Sequence, residues 1–149
     1  MKKIIAVIGS SSCGERISSL AEKVGRLVAE RGFILLTGGY GGVMESASKG
    51  AKSAQGLTLG IIPSRNKLEA NPYVDIAIAT GIDIARNFII AATADGLIAV
   101  DGAYGTLSEI AFALQLKKPV VALESWGIPG VVEVHTPQEA LDKLTELIG

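Results

Sequence analysis

The sequence has few of the features that mark secreted or membrane proteins. It contains one cysteine, Cys13, so no disulfide can form within the chain. Lys2 and Lys3 precede an apolar segment at residues 4–8, which is shorter than the roughly 7 to 15 residues of a signal-peptide core. No apolar run approaches the about 20 residues that cross a bilayer. From these absences we expect a cytoplasmic protein without membrane contact.

The chain also lacks an excess of charge of either sign. Asp and Glu number 15 and Lys and Arg 14, which gives a net charge of -1. Direct binding to nucleic acid needs a basic surface, so we do not expect it. The length of 149 residues is that of an ordinary domain, and we expect a single Rossmann-like domain over residues 1–149.

Apolar strand-like segments alternate with amphipathic helical segments. Continuous apolar strands are typical of a parallel sheet that is covered on both faces. The predicted fold class is therefore α/β, a Rossmann-like doubly wound, mostly parallel sheet with helices on both faces. The predicted strands cover residues 4–8, 33–36, 57–62, 74–79, 96–100, 120–123 and 131–135. The predicted helices cover about 15–31, 43–54, 82–93, the segment from the turn at 101–105 to about 116, and the segment from 137 onward.

Two segments carry finer local signals. Apolar and polar or small residues alternate over residues 74–79, which predicts a half-buried strand nearer an edge of the sheet. Thr136-Pro137 with Glu139 is a typical helix start. The inner stripe of that last helix is predicted to be Ala140, Leu141, Leu144 and Leu147.

One stretch, residues 94–109, combines a buried strand with a glycine turn. Gly96–Val100 is continuously apolar and runs into the turn Asp101-Gly102-Ala103-Tyr104-Gly105. Thr106 and Glu109 follow with the spacing of a capping box, in which both side chains accept hydrogen bonds from backbone amides at a helix start. The remaining free amides and the positive end of the helix dipole predict a site for an anionic ligand.

Two further turns follow the first two strands, and ligands of such sheets bind beyond the carboxyl ends of the strands. The first turn is Ser-rich and the second Gly-rich. Glu15-Arg16 stands where a P-loop has Lys-Ser or Lys-Thr, and Thr37-Gly38 ends the second strand where NAD enzymes have an acidic residue. A P-loop NTPase and a dehydrogenase are thus disfavoured. Hydroxyls and amides at these turns can bind phosphate or ribose without a metal, and tight turns without a ligand are the alternative.

A set of motifs, in this order, resembles the Lonely Guy superfamily of Rossmann-like proteins over residues 4–123. The motifs are VIGSSS at 7–12, TGGYGGVME at 37–45, GIIP at 60–63, RN at 86–87 and GTLSE at 105–109. That superfamily includes cytokinin-activating phosphoribohydrolases, molybdenum-cofactor carrier proteins and relatives mislabelled as lysine decarboxylases, with the DNA-processing protein A fold as a distant cousin. The resemblance implies a small phosphorylated ligand and a homodimer or larger homo-oligomer.

The same resemblance implies roles for two charged residues. In the hydrolase branch, which has the pattern Pro-Gly-Gly-x-Gly-Thr-x-x-Glu, Glu109 would occupy the position of the catalytic carboxylate and Arg86 that of its partner. A carboxylate can stabilise the positive charge that develops on ribose and position water, and an arginine can hold phosphate or orient the carboxylate. Asp101 replaces the proline of this pattern, Ala103 its third residue, and Asn87 the lysine after the arginine. These departures favour a protein that binds without cleaving.

We therefore expect a nucleotide- or phosphorylated-cofactor-binding protein of the molybdenum-cofactor carrier type, with ligand phosphate held at the glycine-rich turns and helix N-termini. A nucleotide or the molybdenum cofactor is the expected ligand, with no required cofactor and no metal site. The alternative is a nucleoside 5'-monophosphate phosphoribohydrolase that uses Arg86 and Glu109, and a weaker one is a nucleotide-sensing or DNA-processing accessory. Lysine decarboxylation is not expected. The predicted ligand-binding residues are Gly9, Ser10, Ser11, Gly38, Gly39, Gly41, Gly42, Arg86, Asn87, Asp101, Gly102, Gly105 and Thr106.

Overall fold

The computed structural model describes residues 1–149 and is built on one sheet of seven strands. None of its helices is both long enough and apolar enough to span a membrane. The strands are β1 (Ile4–Gly9), β2 (Ile34–Thr37), β3 (Thr58–Ile62), β4 (Ile76–Ala79), β5 (Gly96–Val100), β6 (Val120–Leu123) and β7 (Val132–Val134). The helices are α1 (Glu15–Glu30), α2 (Val43–Ser53), α3 (Arg86–Thr93), α4 (Tyr104–Gln115) and α5 (Pro137–Ile148), with short 3-10 turns at Lys67–Glu69 and Asp83–Ala85.

The strand order is β4-β3-β2-β1-β5-β6-β7, and every neighbouring pair is parallel. The chain builds outward from β1 to β4 and then returns to add β5 on the other side of β1. The register of β1 and β5 runs from Ile5 beside Gly96 to Gly9 beside Val100, so both strands end at the same level. The predicted α/β doubly wound fold is confirmed. Ligands of such folds bind in the crevice at this reversal of strand order.

Helices cover both faces of the sheet, and each face has its own apolar core. On one face α1, α2 and α5 bury side chains such as Val24, Ala47 and Leu141. On the other face α3 and α4 bury side chains such as Ile90 and Ile110. Because successive side chains of a strand point to opposite faces, β5 contributes to both cores and is buried at every position. This double burial accounts for its continuously apolar sequence.

Helices α1 and α2 pack at close range through two glycines. Gly25 of α1 lies against the backbone of Ala47, and Gly50 of α2 lies against the backbone of Glu22. A Cβ atom at either glycine would overlap backbone atoms, which cannot move aside as a flexible side chain can. The two glycines therefore set the distance between the helices that start at the first two turns.

Two predicted boundaries are wrong where a polar side chain changes the local backbone. The helix predicted over residues 82–93 begins as a 3-10 turn, with Asp83 at a φ of 56°, and becomes α3 only at Arg86. The strand predicted over 74–79 lacks its first two residues because the Asp75 carboxylate accepts hydrogen bonds from the Thr58 amide and Lys52. The predicted edge position is confirmed, since β4 is the outermost strand.

Helix α5 begins where the sequence predicts, but the last residue predicted for its buried face is wrong. The Thr136 hydroxyl accepts a hydrogen bond from the Glu139 amide at 3.1 Å, as the capping signal predicts. Leu147 is 43% exposed, and Ile148 packs against the core in its place. The predicted inner position of Leu147 is therefore wrong.

We expect Gly50→Ala to lower the free energy of unfolding by about 1–3 kcal/mol, because the added methyl group overpacks the contact between α1 and α2. The loss would occur although alanine favours a helix by about 1 kcal/mol over glycine. Urea unfolding followed by circular dichroism measures the change. Lys49→Ala, at an exposed position of α2, is the matched control and should stay within about 0.5 kcal/mol of wild type. An unchanged or raised stability of Gly50→Ala would contradict the close packing.

Candidate functional site

A cavity of about 290 Å³ lies beyond the carboxyl ends of β1 and β5, where the strand order reverses. Its wall combines the turns after β1, β2 and β5 with the starts of α3 and α4. The predicted site residues that line it are Gly9, Ser10, Ser11, Arg86, Asn87, Gly105, Thr106 and Glu109. Residues from four separate parts of the sequence thus meet at one crevice.

The glycine-rich turn after β2 packs directly on the serine-rich turn after β1. The Val43 amide donates a hydrogen bond to the Ser10 carbonyl at 3.0 Å. Gly42 has a φ of 61° and lies against the backbone of Ser10 and Ser11, with no room for a side chain. A Cβ at Gly41 would lie 3.0 Å from the Ser11 carbonyl oxygen. Gly42 therefore packs against the turn after β1 and does not line the cavity.

Gly38 and Gly39 also lie beneath the crevice and not in its lining. The Gly38 carbonyl accepts a hydrogen bond from Arg86 Nη2 at 3.3 Å, and a Cβ at Gly38 would lie 2.7 Å from that nitrogen. Gly39 has a φ of 81°, and its amide donates to Thr37 Oγ1 at 3.1 Å. Gly41 borders an adjacent cavity of about 370 Å³, which shares Tyr40 with the first cavity.

Helix α4 starts three residues earlier than the predicted capping box implies, so that capping box is wrong. Its N-cap residue is Ala103, which has no side-chain hydrogen bond to offer. Thr106 and Glu109 lie inside the helix and are both buried. The backbone amides of residues 104–106 consequently have no acceptor in the structure. An uncapped first turn with free amides is well suited to binding an anion.

The turn between β5 and α4 is shaped by two residues in the left-handed region. Asp101 has a φ of 54° and Gly102 a φ of 118°. The Asp101 amide donates to the Leu123 carbonyl at 3.2 Å, and its carbonyl accepts from Ser125 Oγ at 2.5 Å. Its carboxylate accepts a hydrogen bond from Ser10 Oγ at 3.4 Å. Asp101 and Gly102 thus shape and brace the crevice without lining it.

Arg86 presents a partly satisfied guanidinium group to the crevice. One terminal nitrogen donates to Asn87 Oδ1 and the other to the Gly38 carbonyl. Its Nε atom is buried and has no partner. Burial lowers the pKa of Arg86, and the charge of Glu109 opposes this effect. Asn87 in turn donates to Ser108 Oγ at 3.1 Å, which holds the start of α3 against the first turns of α4.

Glu109 is a buried acid that forms neither an ion pair nor a hydrogen bond. Its side chain lines the cavity although the residue is only 6% exposed. Burial raises the pKa of Glu109 from 4.5 to about 8, and the nearby charge of Arg86 offsets only part of this rise. A pKa in this range favours the protonated form of the carboxyl group at neutral pH.

The sequence prediction missed four lining residues, which are Tyr40, Met44, Ile84 and Ala103. Tyr40 lies inside the predicted glycine-rich turn, and this position in the sequence was a signal that Tyr40 could reach the site. In the structure its hydroxyl donates a hydrogen bond to Glu69 at 3.1 Å. Ile84 is 78% exposed and reaches the crevice from the 3-10 turn before α3. No sequence signal identified Ile84, because its position depends on that irregular turn.

The donors of the crevice suit an oxyanion better than a metal ion. Hydroxyl groups of Ser10 and Ser11, free amides of α4 and the Arg86 guanidinium all bind negatively charged oxygen. The structure contains no group of three or more His, Cys, Asp and Glu side chains that could hold a metal ion. The chemistry of the site therefore suits a negatively charged oxygen group.

Comparisons with known proteins agree with this architecture. Residues 2–147 match the sequence model of the SLOG cluster4 family. An uncharacterized protein from Archaeoglobus fulgidus is 47% identical over 139 residues, which are 93% of this chain and 91% of the relative.

Solved structures give the same result. The molybdenum cofactor binding protein of the phototrophic bacterium Rippkaea orientalis has a TM-score of 0.94 at 38% identity, over 100% of this chain and 99% of that one. The molybdenum cofactor carrier protein from Chlamydomonas reinhardtii has a TM-score of 0.87 at 36% identity, over 99% of each chain. DNA processing protein A from Streptococcus pneumoniae, at 20% identity and a TM-score of 0.76 over 95% of this chain and 62% of that one, shares the fold alone. The predicted superfamily resemblance is confirmed.

We expect Glu109 to make the protein less stable as the pH rises. The folded chain keeps the Glu109 proton up to a pKa of about 8, whereas the unfolded chain releases it near 4.5. Between these values the folded state binds more protons, so its stability falls by up to about 1.4 kcal/mol per pH unit. Urea unfolding of wild type and Glu109→Gln at pH 6 and pH 8 measures this. The fall should be smaller in Glu109→Gln, and equal falls in both proteins would contradict the buried acid.

Proposed function

Because this chain belongs to the SLOG cluster4 family, we propose that it binds a phosphorylated ligand in the manner of the molybdenum cofactor carriers it resembles. The observation that carries the proposal is the uncapped start of α4. Its amides at residues 104–106 have no acceptor, and Gly105 and Thr106 line a crevice to which Arg86 also contributes its partly satisfied guanidinium group. An oxyanion in the crevice would accept hydrogen bonds from these donors.

The proposed ligand is larger than a phosphate group. The 290 Å³ cavity and the adjacent 370 Å³ cavity share Tyr40 and together have the size of a small-molecule site. A nucleotide or the phosphorylated pterin of the molybdenum cofactor would place its phosphate at α4 and its planar ring toward Tyr40. The chain's own residues would bind and orient the ligand, and any metal would arrive with it.

A nucleoside 5'-monophosphate phosphoribohydrolase is the second candidate. It is favoured by one observation, that Arg86 and Glu109 line the same cavity. A hydrolase of this kind needs a negative carboxylate to stabilise positive charge on the ribose, whereas burial raises the pKa of Glu109 to about 8 and so disfavours that form at neutral pH. Binding without cleavage is therefore the function that we propose first.

We expect isothermal titration at pH 7 to detect binding of AMP or of the molybdenum cofactor at one ligand per chain. Arg86→Ala should weaken this binding at least tenfold, because it removes a charge-assisted donor. Arg26→Ala is the control, since Arg26 is exposed on α1 and pairs with Glu30. Absence of binding to every one of these ligands would remove the proposal. Release of adenine and ribose 5-phosphate from AMP by wild type, above the level of Glu109→Ala, would favour the hydrolase instead.

We also propose that a second copy of this chain covers α3 and α4. After Asn87, the only charged residue of these two helices is the buried Glu109, whereas α1 and α5 carry several exposed charges. The exposed face holds Phe88 and Phe112, whose rings meet edge to face with centroids 5.4 Å apart. In a two-fold dimer each patch meets its own copy, so an uncharged apolar face avoids like-charge repulsion. Ile84, at the rim of the crevice, would then be covered by the partner.

We expect light scattering to show a homodimer or larger homo-oligomer at micromolar concentration. Phe112→Glu should raise the dissociation constant at least tenfold, because it places like charges near the two-fold axis. Leu68→Glu is the matched control, since Leu68 is 83% exposed but lies in the 3-10 turn before β4, away from this face. A monomeric wild type, or equal effects of both substitutions, would contradict the proposed interface.

A further inference from the structure

A carboxyl group lies in the same cavity as the donors proposed to bind an oxyanion. Side chains on a helix lean toward its N-terminus, so Glu109 extends back along α4 toward Gly105 and Thr106, which line the same cavity. A negative carboxylate at this point would repel the oxyanion that the free amides attract. The two can share a cavity of about 290 Å³ only if a positive charge or a proton lies between them.

Arg86 supplies only part of that compensation. Its charge lowers the pKa of Glu109, but its terminal nitrogens donate to Asn87 Oδ1 and to the Gly38 carbonyl, and it forms no ion pair with Glu109. The Glu109 carboxyl oxygens form no hydrogen bond and are not fully enclosed, so they are accessible to a ligand in the cavity. A protonated carboxyl group at this point can donate a hydrogen bond to such a ligand.

We propose that Glu109 binds the ligand as a neutral carboxylic acid, donating a hydrogen bond to an oxyanion oxygen that the α4 amides also hold. This inference rests on the proposed function and names the ligand group as a tetrahedral oxyanion such as a phosphate monoester. The proton stays on Glu109 in the complex, and no covalent bond changes. Above the pH at which free Glu109 loses its proton, each binding event takes one proton from solution.

The surroundings of Glu109 favour the protonated form in the complex. Arg86 on α3 is the one cation facing it, while Asp83, Tyr40 and Asp101 face the crevice region from the 3-10 turn and from the turns after β2 and β5. The turn after β1 contributes only serine hydroxyls to the cavity. Burial places the pKa of Glu109 at about 8, and a bound anion raises it further.

The test is the pH dependence of AMP binding to the whole protein by isothermal titration. A phosphate monoester has its second pKa near 6, so AMP keeps a constant charge above pH 7. We expect the dissociation constant to be nearly constant up to about pH 7.5 and to rise about tenfold per pH unit above pH 8. Titrations at pH 9 in two buffers with different heats of ionisation should show the uptake of about 0.9 proton per AMP.

Glu109→Gln keeps the shape of the side chain but removes its ability to gain or lose a proton. The amide donates a hydrogen bond at every pH and does not titrate. This variant should keep the wild-type affinity at pH 7 within about threefold and lose both the pH dependence and the proton uptake. Glu146→Gln, which alters an exposed acid of α5 outside both cavities, should keep the wild-type pH dependence.

The outcomes distinguish this inference from the proposed function. If AMP binds with an affinity that does not change between pH 7 and 9, or if Glu109→Gln shows the same fall as wild type, the neutral acid is overturned and the binding function stands. Thermal shift with inorganic sulfate provides a probe without a base or sugar. If neither AMP nor sulfate binds at pH 7, the inference fails, and the proposed function fails with it only if the molybdenum cofactor also does not bind.

Discussion

The close contact between the turn after β1 and the start of α2 determines where the donors of the crevice lie. The Ser10 carbonyl accepts the Val43 amide, and Gly42 lies directly on the Ser10 backbone. On the other side, Gly9 lies against the carbonyl oxygen of Val100, with no room for a Cβ. These contacts fix the serine hydroxyls relative to α2 and to β5, whose following turn leads into α4. A side chain at Gly9 or Gly42 would overlap neighbouring backbone atoms, so the shape of the site depends on both glycines. Gly9 lines the cavity and Gly42 does not.

The crevice concentrates polar groups that the folded chain leaves unsatisfied. The Nε of Arg86 is buried without a partner, and Glu109 is buried without an ion pair. A buried donor without a partner costs stability in the folded chain. Under the proposed function, an anionic ligand would accept hydrogen bonds from the free donors of the crevice and offset part of that cost.

The fold was predictable because its signals are local. The continuous apolar run of β5 and the start signal at Thr136 reflect burial and capping that neighbouring residues determine. The start of α4 was mispredicted because the left-handed Gly102 turns the chain early, and Trp126 holds the Ala103 carbonyl from a distant loop. Ile84 joins the crevice only because the chain forms an irregular 3-10 turn before α3. Such long-range contacts leave no periodic pattern in the sequence.

The left-handed backbone at Asp101 is incompatible with the proline that the hydrolase pattern has at this position. The proline ring holds φ near -65° and has no amide, whereas Asp101 has a φ of 54° and donates to the Leu123 carbonyl. Proline placed there alone would force the turn onto another path and carry the first amides of α4 with it. The present shape of the crevice therefore depends on a residue at position 101 that can adopt a positive φ and donate its amide.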